Sequence, residues 1–281
     1  MGREMSEDEP RDEWFETVAG KGSERLRLHA RHWGSQGSPT LVLLHGAGSN
    51  AHWWDHVAPH LARNHHVVAL DFRGHGDSDY PETLIKGAFS NDLEALLEHL
   101  ATPDAILMGH SLGAHVALWH AANREGTPAM VLIDLARGAS PSRQRATKLA
   151  LTLRRTYKSA QQAVLRFRFL PGAARAEESL RASIAGHSVR QEPDGRYGFK
   201  FDPRWFGVPS RERPDLSRVG CPTLLLRGAE SNLLTEKGAQ EVARAIPHCR
   251  LVTIPHAGHH VHIDQPDAVM NEVSGFLTER R

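Results

Sequence analysis

The fourteen residues AILMGHSLGAHVAL, Ala105–Leu118, constrain this chain more than any other stretch. An apolar run reads as a strand, breaks at Gly109-His110-Ser111-Leu112-Gly113, and continues at once as a helix. A turn this tight leaves no room for side chains beside the serine, so both flanking positions are glycine. The Ser111 hydroxyl is then lifted above the end of a strand, at a helix N-terminus whose amides favour negative charge. A Gly-x-Ser-x-Gly motif in this strand–turn–helix setting points to a serine nucleophile.

The surrounding pattern says what such a turn is built into. Apolar runs at Arg25–His32, Thr40–Leu44, His66–Asp71, Ala105–Met108, Met130–Asp134, Thr223–Arg227 and Leu251–Ile254 alternate with helical patterns. The helices are expected near His52–Ala62, Thr83–Leu100, Leu112–Asn123, Glu236–Ile246 and Pro266–Thr278. Most of the runs are continuously apolar, as in strands covered on both faces. An α/β chain with a mostly parallel central sheet and helices on both faces follows.

The alternation stops between Ala139 and Gly220, where roughly 17 Lys/Arg stand against 7 Asp/Glu. The whole chain of 281 residues carries a formal charge of only +1, so the remainder is acidic. Residues 139–219 are therefore expected to be an inserted, mainly helical lid over the carboxyl ends of the strands, where open α/β sheets bind ligands. Residues 14–138 and 220–281 form the core. Residues 1–13 are expected to be a flexible tail.

Near-zero net charge gives no field for nucleic acid or a membrane surface. No run is long and apolar enough to span a membrane. Two cysteines, Cys221 and Cys249, make neither a disulfide framework nor a zinc pattern. The acidic N-terminus lacks the apolar core of a secretory signal, so a cytoplasmic protein is expected. It also matches the short myristoylation pattern at Gly2 and Ser6, which carries little weight.

Two further motifs supply what a serine nucleophile needs. In LVLLHGAGSN, Leu41–Asn50, a strand runs into a lean loop, so the Ala47 N–H and the Leu112 N–H are the expected oxyanion donors. His45 is read as holding that loop. In IPHAGHHVHIDQP, Ile254–Pro266, His259 follows a glycine at a strand end and is the expected general base. Four histidines crowd there, but no matching ligand cluster stands elsewhere, and no metal is expected. His110 and Trp54 are expected to contact substrate.

Together HGAG, DFRGHGDSD, GHSLG and AGHHVH, in this order, make the chain resemble the α/β-hydrolase family, in its esterase- and lipase-like serine branch. The resemblance runs from about Phe15 to the C-terminus. It implies that the insertion shapes the acyl pocket and that DFRGHGDSD is a structural turn, with Arg73 and Asp77 pairing. Relatives with aspartate at the elbow open epoxides or remove halogens; Ser111 favours acyl transfer instead.

One departure stands out. Relatives with RGxxSD use that aspartate as the third triad member, whereas this chain reads RGAESN with Asn232 in its place. An amide cannot stabilise an imidazolium. Asp134, at the end of the Met130–Asp134 strand, is the first alternative acid, Glu230 the second, and a chain without an acid the third. The sequence thus points to a cofactor-free serine esterase for a small or medium acyl substrate. A lactonase, thioesterase or C–C bond hydrolase of the same fold is the alternative. A catalytically weak sensor that keeps the pocket is a further one.

Overall fold

The computed structural model describes residues 9–19, 24–170, 175–208 and 213–279. The possible acylation pattern at Gly2 and Ser6 lies outside them. Eight strands form one sheet: β1 Arg11–Val18, β2 Arg25–Trp33, β3 Thr40–Leu44, β4 His66–Leu70, β5 Ile106–His110, β6 Met130–Ile133, β9 Thr223–Gly228 and β10 Cys249–Ile254. Their order is β1-β2-β4-β3-β5-β6-β9-β10. β2 pairs antiparallel with β1 and β4, and every later pairing is parallel.

The continuous apolar runs are buried on both faces, and the period of two divides them. Along β3, Leu41 and Leu43 join one core while Val42 and Leu44 join the other. In β9, Leu224 and Leu226 face one way and Leu225 the other. Helices cover each side. α2 (Ala88–His99), α3 (Leu112–Asn123) and α7 (Glu236–Ala245) enclose the first core. α1 (Ala58–Ala62) and α9 (Pro266–Thr278) enclose the second, where Val269, Met270, Val273 and Phe276 recur at helical spacing.

Several boundaries differ from expectation for local reasons. β1 begins at Arg11, within the stretch read as a tail, because it completes an antiparallel edge against β2 and buries Phe15. Its other residues are largely exposed, so it lacks the apolar signal of a central strand. The pattern starting at Thr83 becomes a helix only at Ala88, after Gly87 in a left-handed conformation (φ 81°). His52–Ala62 divides into a 3-10 turn, Ala51–Trp54, and α1.

The insertion between β6 and β9 holds α4 (Pro141–Thr152), α5 (Ala160–Arg166) and α6 (Glu178–His187). It also holds a small hairpin, β7 Val189–Gln191 with β8 Tyr197–Phe199, so it is not purely helical. Ser140 and Ser159 cap α4 and α5 through their side chains. Phe167, Phe169, Ile184 and Ala185 form a small core of their own with Trp53 and Ile263.

Candidate functional site

The strand order reverses about β3 and β5, and the chemistry-bearing side chains collect beyond the carboxyl ends there. Ser111 joins β5 to α3 with φ 51° and ψ −108°, a conformation non-glycine residues rarely adopt. Its N–H donates to the Ile133 carbonyl at 3.0 Å, which ties the turn to β6. A Cβ on Gly109 would lie 2.4 Å from the Gly113 backbone, and one on Gly113 would lie 2.1 Å from the Leu44 carbonyl oxygen. Both elbow glycines are thus steric necessities.

The loop after β3 is fastened to this turn. Gly113 N–H donates to the His45 carbonyl at 3.1 Å. His45 accepts from the Phe72 N–H at Nε2 (3.1 Å), so its proton sits on Nδ1 and is donated to the Gly46 carbonyl at 2.7 Å. Burial lowers its pKa and keeps it neutral. Ala47 and Leu112 both border a cavity of about 440 Å³ lined mainly by apolar side chains.

His259 and Asp134 meet across the sheet. His259 Nδ1 lies 2.7 Å from Asp134 Oδ1. Asp134 is fully buried and follows β6 with φ 44°. It also accepts from Ser231 Oγ at 2.6 Å and from the Gly228 N–H at 3.0 Å. The carboxylate is an acceptor for three donors, and accepting from His259 places that ring's proton on Nδ1, leaving Nε2 with its lone pair. Ser231 is itself oriented, because its oxygen accepts from the N–H groups of Leu233 and Leu234.

Glu230 is not drawn into this cluster; it pairs with Arg175 near the surface. Asn232 is exposed, and its neighbour Ser231 is the member of RGAESN that reaches Asp134. Sequence reading missed Ser231 and Gly228. The only sign was their position in that same stretch, where attention fell on the residue that was not aspartate.

Two expected substrate contacts do not lie at the cavity. Trp54 is fully buried in the second core, stacked on His262 at 4.6 Å between ring centroids. Its indole is taken up by packing. His110 is buried too, and its Nε2 donates to the His259 carbonyl at 2.9 Å. It therefore ties the His259 loop to the residue before Ser111. Burial, and then neighbouring His259, push the His110 pKa well below the ordinary range, and His260 and His262 are likewise held neutral by burial.

DFRGHGDSD is a structural turn, but its pairing differs from expectation. Arg73 Nε donates to Asp92 Oδ1 on α2 at 2.6 Å, while Asp77 pairs with Lys200 at 2.7 Å. Both Arg73 and Asp92 are buried, so the partner had to be a buried carboxylate. Asp71 accepts from Ala51 N–H and Asp77 N–H and bonds His29 Nδ1 at 2.7 Å. Burial pushes its carboxyl up, yet the His29 bond and charge hold it at about 2. A Cβ on Gly76 would strike that carboxylate at 2.1 Å.

Two groups among the described residues gather possible metal ligands within 4.8 Å, His29–Asp71–Asp77 and His52–Asp55–His187. Most of their donor atoms are already engaged: Asp71 and Asp77 as above, and Asp55 between His52 Nδ1 (2.8 Å) and Arg31 Nε (3.1 Å).

The sequence profile of the alpha/beta hydrolase family matches residues 41–272. An esterase of Mycobacterium tuberculosis, Rv0045c, is 31% identical over 90% of this chain and 87% of its own. The mouse sn-1-specific diacylglycerol lipase ABHD11 is 27% identical over 85% and 81%. An alpha/beta hydrolase from Novosphingobium aromaticivorans superimposes with a TM-score of 0.80 at 26% identity, covering 99% of this chain and 100% of that one. The chain belongs to the alpha/beta hydrolase family, and as a member of it is a hydrolytic enzyme. No helix among the described residues is long and apolar enough to cross a membrane.

Proposed function

We propose that the chain is a serine hydrolase that cleaves a carboxylic ester of a small or medium substrate through an acyl-enzyme. The observation that carries this reading is the His259–Asp134 bond of 2.7 Å on a loop that the His110 ring, beside the strained Ser111 turn, ties to the elbow through the His259 carbonyl. Two relatives named as an esterase and a lipase support an ester as the bond cleaved.

Ser111 Oγ attacks the carbonyl carbon and passes its proton to His259 Nε2. The N–H groups of Ala47 and Leu112 receive the oxyanion. The tetrahedral species collapses, the C–O bond to the leaving alcohol breaks, and the imidazolium returns the proton to that oxygen. Water, deprotonated by His259, then attacks the ester carbon and frees the acid and Ser111. Asp134 holds the ring in the required tautomer and stabilises the imidazolium, and Ser231 and Gly228 hold Asp134. No cofactor enters this sequence.

Residues 139–219 act as a lid over the acyl pocket. Trp205, Phe206 and Val208, from that segment, line the cavity together with Ala47 and Leu112.

A fluorophosphonate tests the reading. Ser111 is expected to be labelled rapidly, and 4-nitrophenyl esters to be hydrolysed. Ser111→Ala abolishes both, with loss of turnover on the order of 10⁶. An unreactive Ser111 in folded protein would refute the assignment.

A further inference from the structure

The arginines of this chain fall into two kinds. In a second cavity of about 420 Å³, Arg154 and Arg190 pair with Glu192 at 2.8 and 3.2 Å, and Arg204 pairs with Asp202 at 2.7 Å. That cavity is lined by four arginines and two acids, and three of the four arginines are paired with those acids. The cavity beside the elbow is different. Arg137 and Arg213 line it among apolar side chains, and neither guanidinium has an acidic or hydrogen-bonding partner among the described residues.

Arg137 is held rigidly. Its N–H donates to the Leu233 carbonyl at 2.9 Å, and its own carbonyl accepts from the Thr235 N–H at 3.1 Å. It stands three residues after Asp134, on the chain that leaves β6, and is half-buried. Arg213, which is exposed, approaches from within the insertion, just before the 3-10 turn Leu216–Arg218. His115 on α3 lies between their influences. Part of its surface is open to the cavity, yet the surrounding protein desolvates it, and Arg213 and Arg137 oppose its protonation further, so its pKa falls to about 4. The ring is therefore neutral at pH 7 and leaves the positive potential of the two arginines to whatever enters.

Arg137 is half-buried in an apolar cavity and so poorly solvated, and an anionic ligand group is what offsets that cost. The exposed Arg213 adds its charge from the rim. A neutral acyl chain would fill the apolar lining and leave both arginines unmatched. The volume suits a ligand with a short apolar spacer between two polar ends.

We propose that this cavity selects esters that carry a second, free carboxylate, bound by Arg137 and Arg213 while the ester lies at Ser111. The inference rests on the serine-ester reading above and names its substrate class. Arginine fits the role because its planar fork pairs both carboxylate oxygens.

The test compares two substrates of equal chain length, mono-4-nitrophenyl adipate and 4-nitrophenyl hexanoate. The wild-type enzyme is expected to favour the adipate by about tenfold or more in kcat/KM, the ordinary worth of a charge-assisted hydrogen bond. The preference should shrink in 1 M NaCl, where the Debye length falls to about 3 Å. Arg137→Gln and Arg213→Gln each reduce the adipate-to-hexanoate ratio about tenfold, and Arg137→Lys retains part of it. A structural role for Arg137 would instead depress both substrates together.

Equal efficiency on the two esters, with a ratio indifferent to Arg137→Gln, overturns the proposal and leaves ester hydrolysis standing. Should neither ester be hydrolysed, calorimetric binding of monomethyl adipate to Ser111→Ala, with and without Arg137→Gln, decides the carboxylate site separately from the chemistry. Binding lost with Arg137→Gln supports it, and binding absent or unaltered sinks it.

Discussion

The crest of the sheet and the inserted segment are held by different forces. At the crest, position is set through backbone. Gly109 and Gly113 admit no side chain, Ser111 N–H is tied to β6, and Asp134 is gripped by Gly228 N–H and Ser231. Among the described residues, the insertion bonds backbone to backbone with the core at one place, where Gly76 N–H donates to the Lys200 carbonyl and Asp202 N–H to the Gly74 carbonyl. It is otherwise held by side chains: a small aromatic core and ion pairs such as Arg175–Glu230 and Arg204–Asp202, each with a half-exposed arginine. Backbone restraint fixes atoms to fractions of an ångström, while exposed ion pairs are worth little and rearrange readily. The contrast places precise geometry where bonds would break and adaptable surface where a substrate would be chosen.

The comparison breaks most visibly at Asp134. Asp134→Asn keeps the shape but misplaces the His259 proton, and about a 10⁴-fold loss in kcat is expected in steady-state ester hydrolysis. Full activity in that variant would mean that the crest geometry is not the working geometry. Next in size is Asp92→Ala, which strands the buried Arg73 charge. Burial pushes the Asp92 carboxyl up, yet the guanidinium beside it holds the pair together. Denaturant titration should show a loss of about 3–5 kcal/mol, far more than removing an exposed pair of the insertion.

Acid sharpens the same contrast. Burial lowers His32 to about 4 and His75 to about 3, so both rings stay neutral in the folded protein well below the ordinary value of 6.5. Between those limits the unfolded chain binds more protons, and stability is full above about pH 6.5 and falls as the pH drops toward 4. Each such ring costs on the order of 2 kcal/mol by pH 5, measurable as a falling denaturation midpoint. A midpoint unchanged from pH 7 to 5 would contradict it. Smallest of all, Glu230→Gln and Asn232→Asp should alter kcat/KM by less than about threefold, since one is paired at the surface and the other is exposed.

Much of this was readable in the residues. The central strands announced themselves as continuous apolar runs because both faces are buried, and the elbow because glycine is compulsory there. Leu112–Asn123 and Pro266–Thr278 form helices over the expected spans. The pairing of His259 with Asp134 rather than with Glu230 was one of three open readings, since it joins residues 125 positions apart. Trp54 misled because an aromatic beside a loop near the site looks the same in sequence whether it faces a ligand or the core. Arg73 misled because a local acid, Asp77, stood closer in the chain than the buried Asp92.

What the sequence determined alone was local: where strands must be apolar, where a turn must lack side chains, where an amide stands in place of an acid. The tertiary structure decided which distant groups touch. It brought Ser231 under Asp134, turned Trp54 inward, and left Arg137 and Arg213 at one cavity with no acidic partner among the described residues. Periodicity and steric exclusion act between neighbours along the chain, whereas charge pairing and tautomer depend on distances that only the closed sheet sets.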